Sequence, residues 1–236
     1  MVRSPDPEYP MPTARMEAIL RSTSTLMEFA STWDSLRQQP DVCDLAFGNP
    51  HELAIPGYVE ALGRHLAPAD EDWYAYKRSE PQAQEVVAKR LSEWRGLPFE
   101  APDIALTPGA FGAIAVALHV LVDIGDEVIF STPPWFFYEA MILAAGGIPV
   151  KVPVAADHDL DVEAIAAAIT PRTRMVIINT PNNPTGRIYP AAMLMALVSV
   201  LGEASDSHSS TIYLLSDEPY ARLVFSDAVM VSPAAF

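Results

Sequence analysis

From residue 103 onward the sequence alternates between two textures, and that alternation limits the fold more than any other feature. Short apolar, β-branched runs read as strands: "DIALTPG" (103–109), "DEVIFSTP" (126–133), "IPVKVPV" (148–154), "RMVIINTP" (174–181), "TIYLLSD" (211–217) and a short "ARLVF" (221–225). Between them lie segments with helical character over 109–122, 135–145, 161–169 and 190–203. Strands separated by helices of this length imply crossover connections. The expected fold class is therefore α/β, a three-layer α/β/α arrangement around a mostly parallel sheet.

The part before residue 103 is different. Residues 1–13 hold four prolines and read as an irregular arm. A helix is expected from Thr13 to about Gln38, with Met16, Ile19, Leu20, Thr23 and Met27 on one face. "LAFGNPHELAIPG" (45–57) is a loop punctuated by Gly and Pro, and a helix follows near 57–66. "PQAQEVVAKRLSEWRG" (81–96) is an amphipathic helix with Val86, Val87, Leu91 and Trp94 at helical spacing, stopped by Gly96.

With 236 residues, half of them apolar, the chain is long enough for one large domain. A formal charge of −15 argues against a nucleic acid or an anionic membrane surface as partner, since both need clustered Lys and Arg. The single cysteine, Cys43, excludes an internal disulfide and a Cys-based metal cluster, and reads as a small core residue in a reducing compartment. No signal-peptide core and no bilayer-length apolar run is present, so the expected location is cytoplasmic.

In an open parallel sheet, ligands gather outside the carboxyl ends of the strands. Three such ends carry unusual residues. At Thr107–Pro108–Gly109–Ala110 a strand turns into a helix whose free N–H groups and dipole favour a phosphate, although a plain turn explains the residues as well. "NTPNNPTG" (179–186) sets side-chain amides between prolines, either as a ligand clamp or as a stiff strand-to-helix connection, and an X–Pro bond there can be cis. "LSDEPY" (215–220) puts Asp217 at the end of an apolar strand, where a buried carboxylate needs a cation or donors; a cap or Asp-turn is the alternative. Tyr220 is close enough in sequence to bring a phenol to the same place. Together the ends suit a ligand with a phosphate, a polar oxygen and a protonatable ring nitrogen, and Trp135 in "STPPWFFYEA" supplies an aromatic cover.

These motifs resemble the class I/II aminotransferases, the fold-type-I enzymes that depend on pyridoxal 5'-phosphate. "NTPNNPTG" is similar to their Asn-x-Pro-x-Asn-Pro-Thr-Gly signature, "LSDEPY" to their Ser-Asp-Glu-x-Tyr segment, and "IGDEVIFSTPPWFFY…AAGGIPVKVPV" to the intervening pattern, over about residues 41–225. The resemblance implies that Asp217 pairs with the pyridinium nitrogen and that Asn183 and Tyr220 bind the ring phenolate. It also implies that Trp135 stacks on the ring, while Gly109, Ala110 and Phe111 hold the phosphate. Gly48 would lie beside the substrate carboxylate, and Tyr74 would reach the phosphate of a neighbouring subunit in a homodimer. The implied reaction moves an amino group between an amino acid and a 2-oxo acid. A lyase or decarboxylase of the same fold, or a noncatalytic module that binds the cofactor or a partner chain, are the rival readings.

The chain departs from the family pattern in places. Ser79 and Ala83–Gln84 stand where the family carries Gly and Leu-Arg after the tyrosine, and Pro219 precedes Tyr220 where an aliphatic residue or alanine is usual. The Schiff-base lysine and the arginine for the substrate α-carboxylate belong further on in the family, and no lysine follows Lys151 here. The expectation is an arm and helix over 1–40 and an incomplete large domain over 41–236, without a catalytic lysine, paired with a second copy or with a complementing C-terminal chain.

Overall fold

A computed structural model describes residues 12–46, 48, 52–225 and 227–236. Four of the apolar runs form strands: β1 (Glu127–Thr132), β2 (Ile148–Pro153), β3 (Thr173–Asn179) and β4 (Tyr213–Asp217). They pair side by side, all parallel, in the order β2-β1-β3-β4. The helices are α1 (Ala14–Leu36), α2 (Pro56–Arg64), α3 (Pro81–Arg95), α4 (Gly109–Leu121), α5 (Tyr138–Ala145), α6 (Val162–Ala168) and α7 (Ala191–His208).

Successive strand residues point to opposite faces, and each face here is covered. On one side Ile129, Val176 and Ile178 pack with Leu160, Ile165 of α6 and Leu194, Leu197 and Leu201 of α7. On the other, Val128, Phe130, Met175 and Ile177 pack with Ile114 and Leu118 of α4 and Met141 and Ile142 of α5. A sheet buried on both sides explains why its strands read as unbroken apolar runs rather than as alternation. The architecture is the three-layer α/β/α arrangement expected. At the turn out of α5, Gly146 has φ 93°, a left-handed conformation that glycine adopts without a Cβ penalty.

Several local expectations are corrected. Residues 104–107 are extended but join no ladder among the described residues, and 221–225 form a turn and coil with Leu223 and Phe225 exposed. A β-branched run fixes local preference, but a strand also needs a neighbour, and these two runs have none among the described residues. Helix α5 starts at Tyr138, because Trp135–Phe137 make a turn after two prolines. Helix α7 runs on to His208, since "EASDSH" contains no breaker, and it ends at Ser209 with φ 51°.

The α3 stripe holds in part, with Val87 and Leu91 half-buried. Ala88 is its buried residue, while Val86 and Trp94 lie exposed. Only part of the α1 stripe holds: Thr23 is buried, and Met16, Leu20 and Met27 are exposed while the helix rests on α5. Cys43 is exposed, not a core residue. Thr13 caps α1 by accepting from the Met16 N–H at 3.2 Å, but the rest of the expected arm, residues 1–11, lies outside the described residues, as does part of the 45–57 loop. No helix among the described residues is long and apolar enough to cross a membrane.

Candidate functional site

The register of β3 and β4 sets Asn179 opposite Asp217 at the carboxyl end of the sheet. From there the chain turns through Thr180–Pro181–Asn182–Asn183–Pro184, and the Thr180–Pro181 and Asn183–Pro184 peptide bonds are both cis. The corner is held from inside. Asn182 Oδ1 accepts from the Thr185 N–H at 3.1 Å and from its hydroxyl at 2.9 Å, and the Gly186 N–H donates to the Asn182 carbonyl at 2.7 Å. It is also tied outward, because the Arg187 guanidinium donates two hydrogen bonds of 2.5 Å to Asp159, holding that carboxyl below its usual range.

Asn179 does the joining. Its side-chain Nδ2 donates to the Asp217 carbonyl at 2.8 Å, and its Oδ1 accepts from the Asn183 N–H at 2.6 Å. The Asn183 Nδ2 in turn donates to the Tyr220 hydroxyl at 3.2 Å. Pro219 therefore does not prevent Tyr220 from reaching the corner.

The Asp217 side chain is 9% exposed. Its Oδ2 accepts from the Tyr138 hydroxyl at 2.5 Å, across the sheet end from the first residue of α5. Burial pushes the Asp217 carboxyl above the ordinary carboxylate range. The Tyr138 hydrogen bond pulls it back, and the neighbouring Glu218 charge adds to the rise. Burial and the facing Asp217 charge push the Tyr138 phenol upward, so it stays a donor. Glu218 points elsewhere: it pairs with Arg95 of α3 and accepts from the hydroxyls of Ser216 and Ser232 at 2.8 Å each.

A cavity of about 170 Å³ sits over these groups, lined by Ala110, Phe111, Trp135, Asn183, Asp217 and Tyr220 together with Ile114, Asn179 and Pro219. Its wall at α4 is the start of a 13-residue helix whose N-terminus has no side-chain cap. Gly109 opens that helix with φ 75°, which a side chain would strain, and so lets the chain turn sharply into the helix beside the cavity. Trp135 is edge-on to Phe111, with ring centroids 5.6 Å apart. Three lining residues, Trp135, Asn183 and Tyr220, also border a larger space of about 1000 Å³ that includes Gly48, Arg187 and Leu223.

Of the residues singled out in the sequence, six thus meet at one cavity. Gly109 shapes its edge, and Gly48 borders the larger space. Tyr74 lies apart: its ring is exposed and its hydroxyl donates to the Leu66 carbonyl. Tyr138 and Asn179 were not foreseen as partners of Asp217. The signal for a partner was the buried aspartate itself, which demands a donor, but nothing local in "WFFYEA" says which of its residues turns inward.

The chemistry of this donor set fits pyridoxal 5'-phosphate. A buried carboxylate suits a ring nitrogen that carries a proton, the Asn183–Tyr220 pair suits a phenolate oxygen, and the uncapped start of α4 suits a phosphate. Comparison with known proteins points the same way. The family model for aminotransferase class I and II matches residues 40–235. A probable aspartate/prephenate aminotransferase from Thermus aquaticus is 33% identical over 89% of this chain and 53% of its own length. An aspartate aminotransferase from Geobacillus stearothermophilus is 34% identical over 95% of this chain and 56% of its own. The crystal structure of an aminotransferase from Eubacterium rectale superposes with a TM-score of 0.81 at 25% identity, over 96% of this chain and 56% of that one. The chain thus spans about half the length of the curated relatives it matches.

Proposed function

The chain belongs to the class I and II aminotransferase family, and from that premise we propose that it forms the ring- and phosphate-binding part of a pyridoxal 5'-phosphate site for amino-group transfer. The substrates on this reading are an amino acid and a 2-oxo acid. The observation that carries it is the buried Asp217 carboxylate beside the Asn183–Tyr220 pair in one cavity. Relatives named as aspartate and aspartate/prephenate aminotransferases favour transamination over the lyase and decarboxylase alternatives.

Bound there, the cofactor supplies an electron sink for negative charge formed at the substrate Cα. Asp217 keeps the ring nitrogen protonated by offering it a charge partner in a site with little water. Asn183 and Tyr220 orient the ring through its phenolate oxygen. Trp135 covers one face of the ring. The N–H groups of Ala110 and Phe111, with the α4 dipole behind them, take the phosphate. Gly48 leaves room beside the substrate carboxylate, and the exposed Tyr74 would exchange its Leu66 carbonyl for the phosphate of a second subunit in a homodimer, a complementing chain being the other partner. The location is cytoplasmic on the same reading, with residues 41–236 contributing to the large domain.

None of the three lysines lines the cavity. Lys151 pairs with Glu139 at 2.7 Å and Lys77 with Glu80 at 2.9 Å. We therefore place the lysine that bonds the cofactor in polypeptide outside these 236 residues, and expect this chain to hold the ring noncovalently.

Pyridoxine 5'-phosphate tests the site, because it keeps the ring nitrogen, phenol and phosphate but cannot react with surface lysines. In equilibrium dialysis, Asp217→Ala is expected to weaken its binding at least about tenfold, the scale of a hydrogen bond to a charged group. Equal binding by the variant and the parent protein removes the assignment.

A further inference from the structure

The amides nearest Asp217 are already committed. Asn179 uses its Nδ2 on the Asp217 backbone carbonyl and its Oδ1 on the Asn183 N–H, and Asn183 gives its own Nδ2 to Tyr220. Among the described residues, the one side chain that donates to the Asp217 carboxylate is Tyr138. That donor cannot swing away. Tyr138 is 2% exposed, and its ring packs edge-on against Trp135 at 5.3 Å and Phe130 at 6.3 Å, within the core beneath α5.

Resting on the cofactor reading above, we propose that Tyr138 is a positioning residue for Asp217: its phenol fixes one carboxylate oxygen and keeps the group ionised, leaving the second oxygen to the ring nitrogen of the ligand. The charged and titratable neighbours support this division. Glu218, the next residue, works against ionisation of Asp217, yet its charge is met by Arg95 and two serine hydroxyls. Tyr220 faces the same cavity, where its hydroxyl oxygen accepts from the Asn183 Nδ2. Burial drives the Asp217 carboxyl toward its neutral form, and a neutral acid there would give the ring nitrogen no charge partner. Tyr138 is the group that opposes this. The contact between Tyr138 and Trp135 also joins the donor to the carboxylate with the residue that would cover the ring.

Two measurements on the full chain test this. Carbon-13 NMR of the Asp217 carboxyl, without any ligand, follows its titration in the parent protein and in Tyr138→Phe. The phenylalanine keeps the ring packing and removes only the hydroxyl. The titration midpoint is expected to rise by about one to two pH units in the variant. Dialysis with pyridoxine 5'-phosphate across pH then reads the consequence: the pH at which binding is lost on acidification should rise by the same amount. The ligand's own ionisations cancel between the two proteins.

A carboxyl midpoint unmoved by Tyr138→Phe overturns the inference. So does binding weakened equally at every pH, which is what a role in packing alone would produce. Absence of binding by the parent protein, with a carboxyl midpoint that does shift, refutes the cofactor reading and with it the ligand half of the inference. The carboxyl titration therefore separates failure of the Tyr138 role from failure of the site.

Discussion

Replacing Asn179 by alanine removes the two side-chain hydrogen bonds that fasten the Asn-Pro corner to the end of β4, and their individual fates set the cost. The Asp217 carbonyl loses the Asn179 Nδ2 at 2.8 Å but keeps the Thr180 N–H at 3.2 Å. That half costs about 1 kcal/mol, the net worth of one bond with no group left stranded. The Asn183 N–H loses its acceptor at 2.6 Å. It is half-buried at the cavity margin, where water can partly replace the amide oxygen, so this half costs about 1 to 2 kcal/mol. The expected total is about 2 to 3 kcal/mol. Urea unfolding followed by circular dichroism should show this as a lower midpoint with an unchanged slope. A loss below about 0.5 kcal/mol for Asn179→Ala would show that the corner does not depend on the β3–β4 bridge.

Other consequences concern the acids away from the cavity. Glu127 is 5% exposed, and its carboxylate accepts from the Thr170 hydroxyl at 2.6 Å and from Arg172 Nε at 3.0 Å. Burial pushes this carboxyl up, but the hydrogen bonds from Thr170 and Arg172 outweigh it and leave it below the ordinary range. A carboxyl depressed on folding contributes stability that is whole above its unfolded value and is lost as pH falls through the folded one. Glu127→Gln should therefore flatten the fall in unfolding free energy below about pH 5; urea titrations with the same acid slope in both proteins would contradict this. Arg95→Met should cost about 2 to 3 kcal/mol by leaving the Glu218 anion with only its two serine donors. Adding Glu218→Gln should restore more than half of that loss, and additive losses in the double-mutant cycle would deny the coupling.

Most of the layered fold could be read from local pattern, because a strand buried on both faces writes an apolar run into the sequence whatever its neighbours are. Val128–Phe130 and Met175–Ile178 are such runs, and both lie at the centre of the sheet. The runs at 104–107 and 221–225 have the same local character but no ladder, since pairing depends on what else the chain brings alongside. Helix faces were harder than helix positions. On α3 the buried face centres on Ala88, a small residue that lets the helix approach its support, while the larger Val86 and Trp94 turn outward. Trp94 is instead held between two guanidinium groups, Arg95 at 4.0 Å and Arg222 at 4.4 Å from its ring. At the site, the residues with an evident chemical peculiarity converge on one cavity. Tyr138 was hidden because its importance comes from a partner 79 positions away.

Asp217 and Glu218 are neighbours in sequence, one ending β4 and one just beyond it, and their side chains find different partners. Ser216 and Glu218 share one face, where the serine hydroxyl donates to the glutamate at 2.8 Å, and Asp217 turns to the other. On the first face the chain supplies a guanidinium and two hydroxyls, a complete set of donors for a buried anion. On the second, among the described residues, it supplies a single phenol to a carboxylate that lines a cavity. Two adjacent carboxylates with the same intrinsic chemistry are thus compensated to different degrees. Burying an anion with one neutral donor is unfavourable, and a fold gains nothing by keeping it unless something cationic arrives. The acid that the protein satisfies by itself belongs to the scaffold. The one it leaves short of a positive partner is the one to which a protonated ring nitrogen can add most.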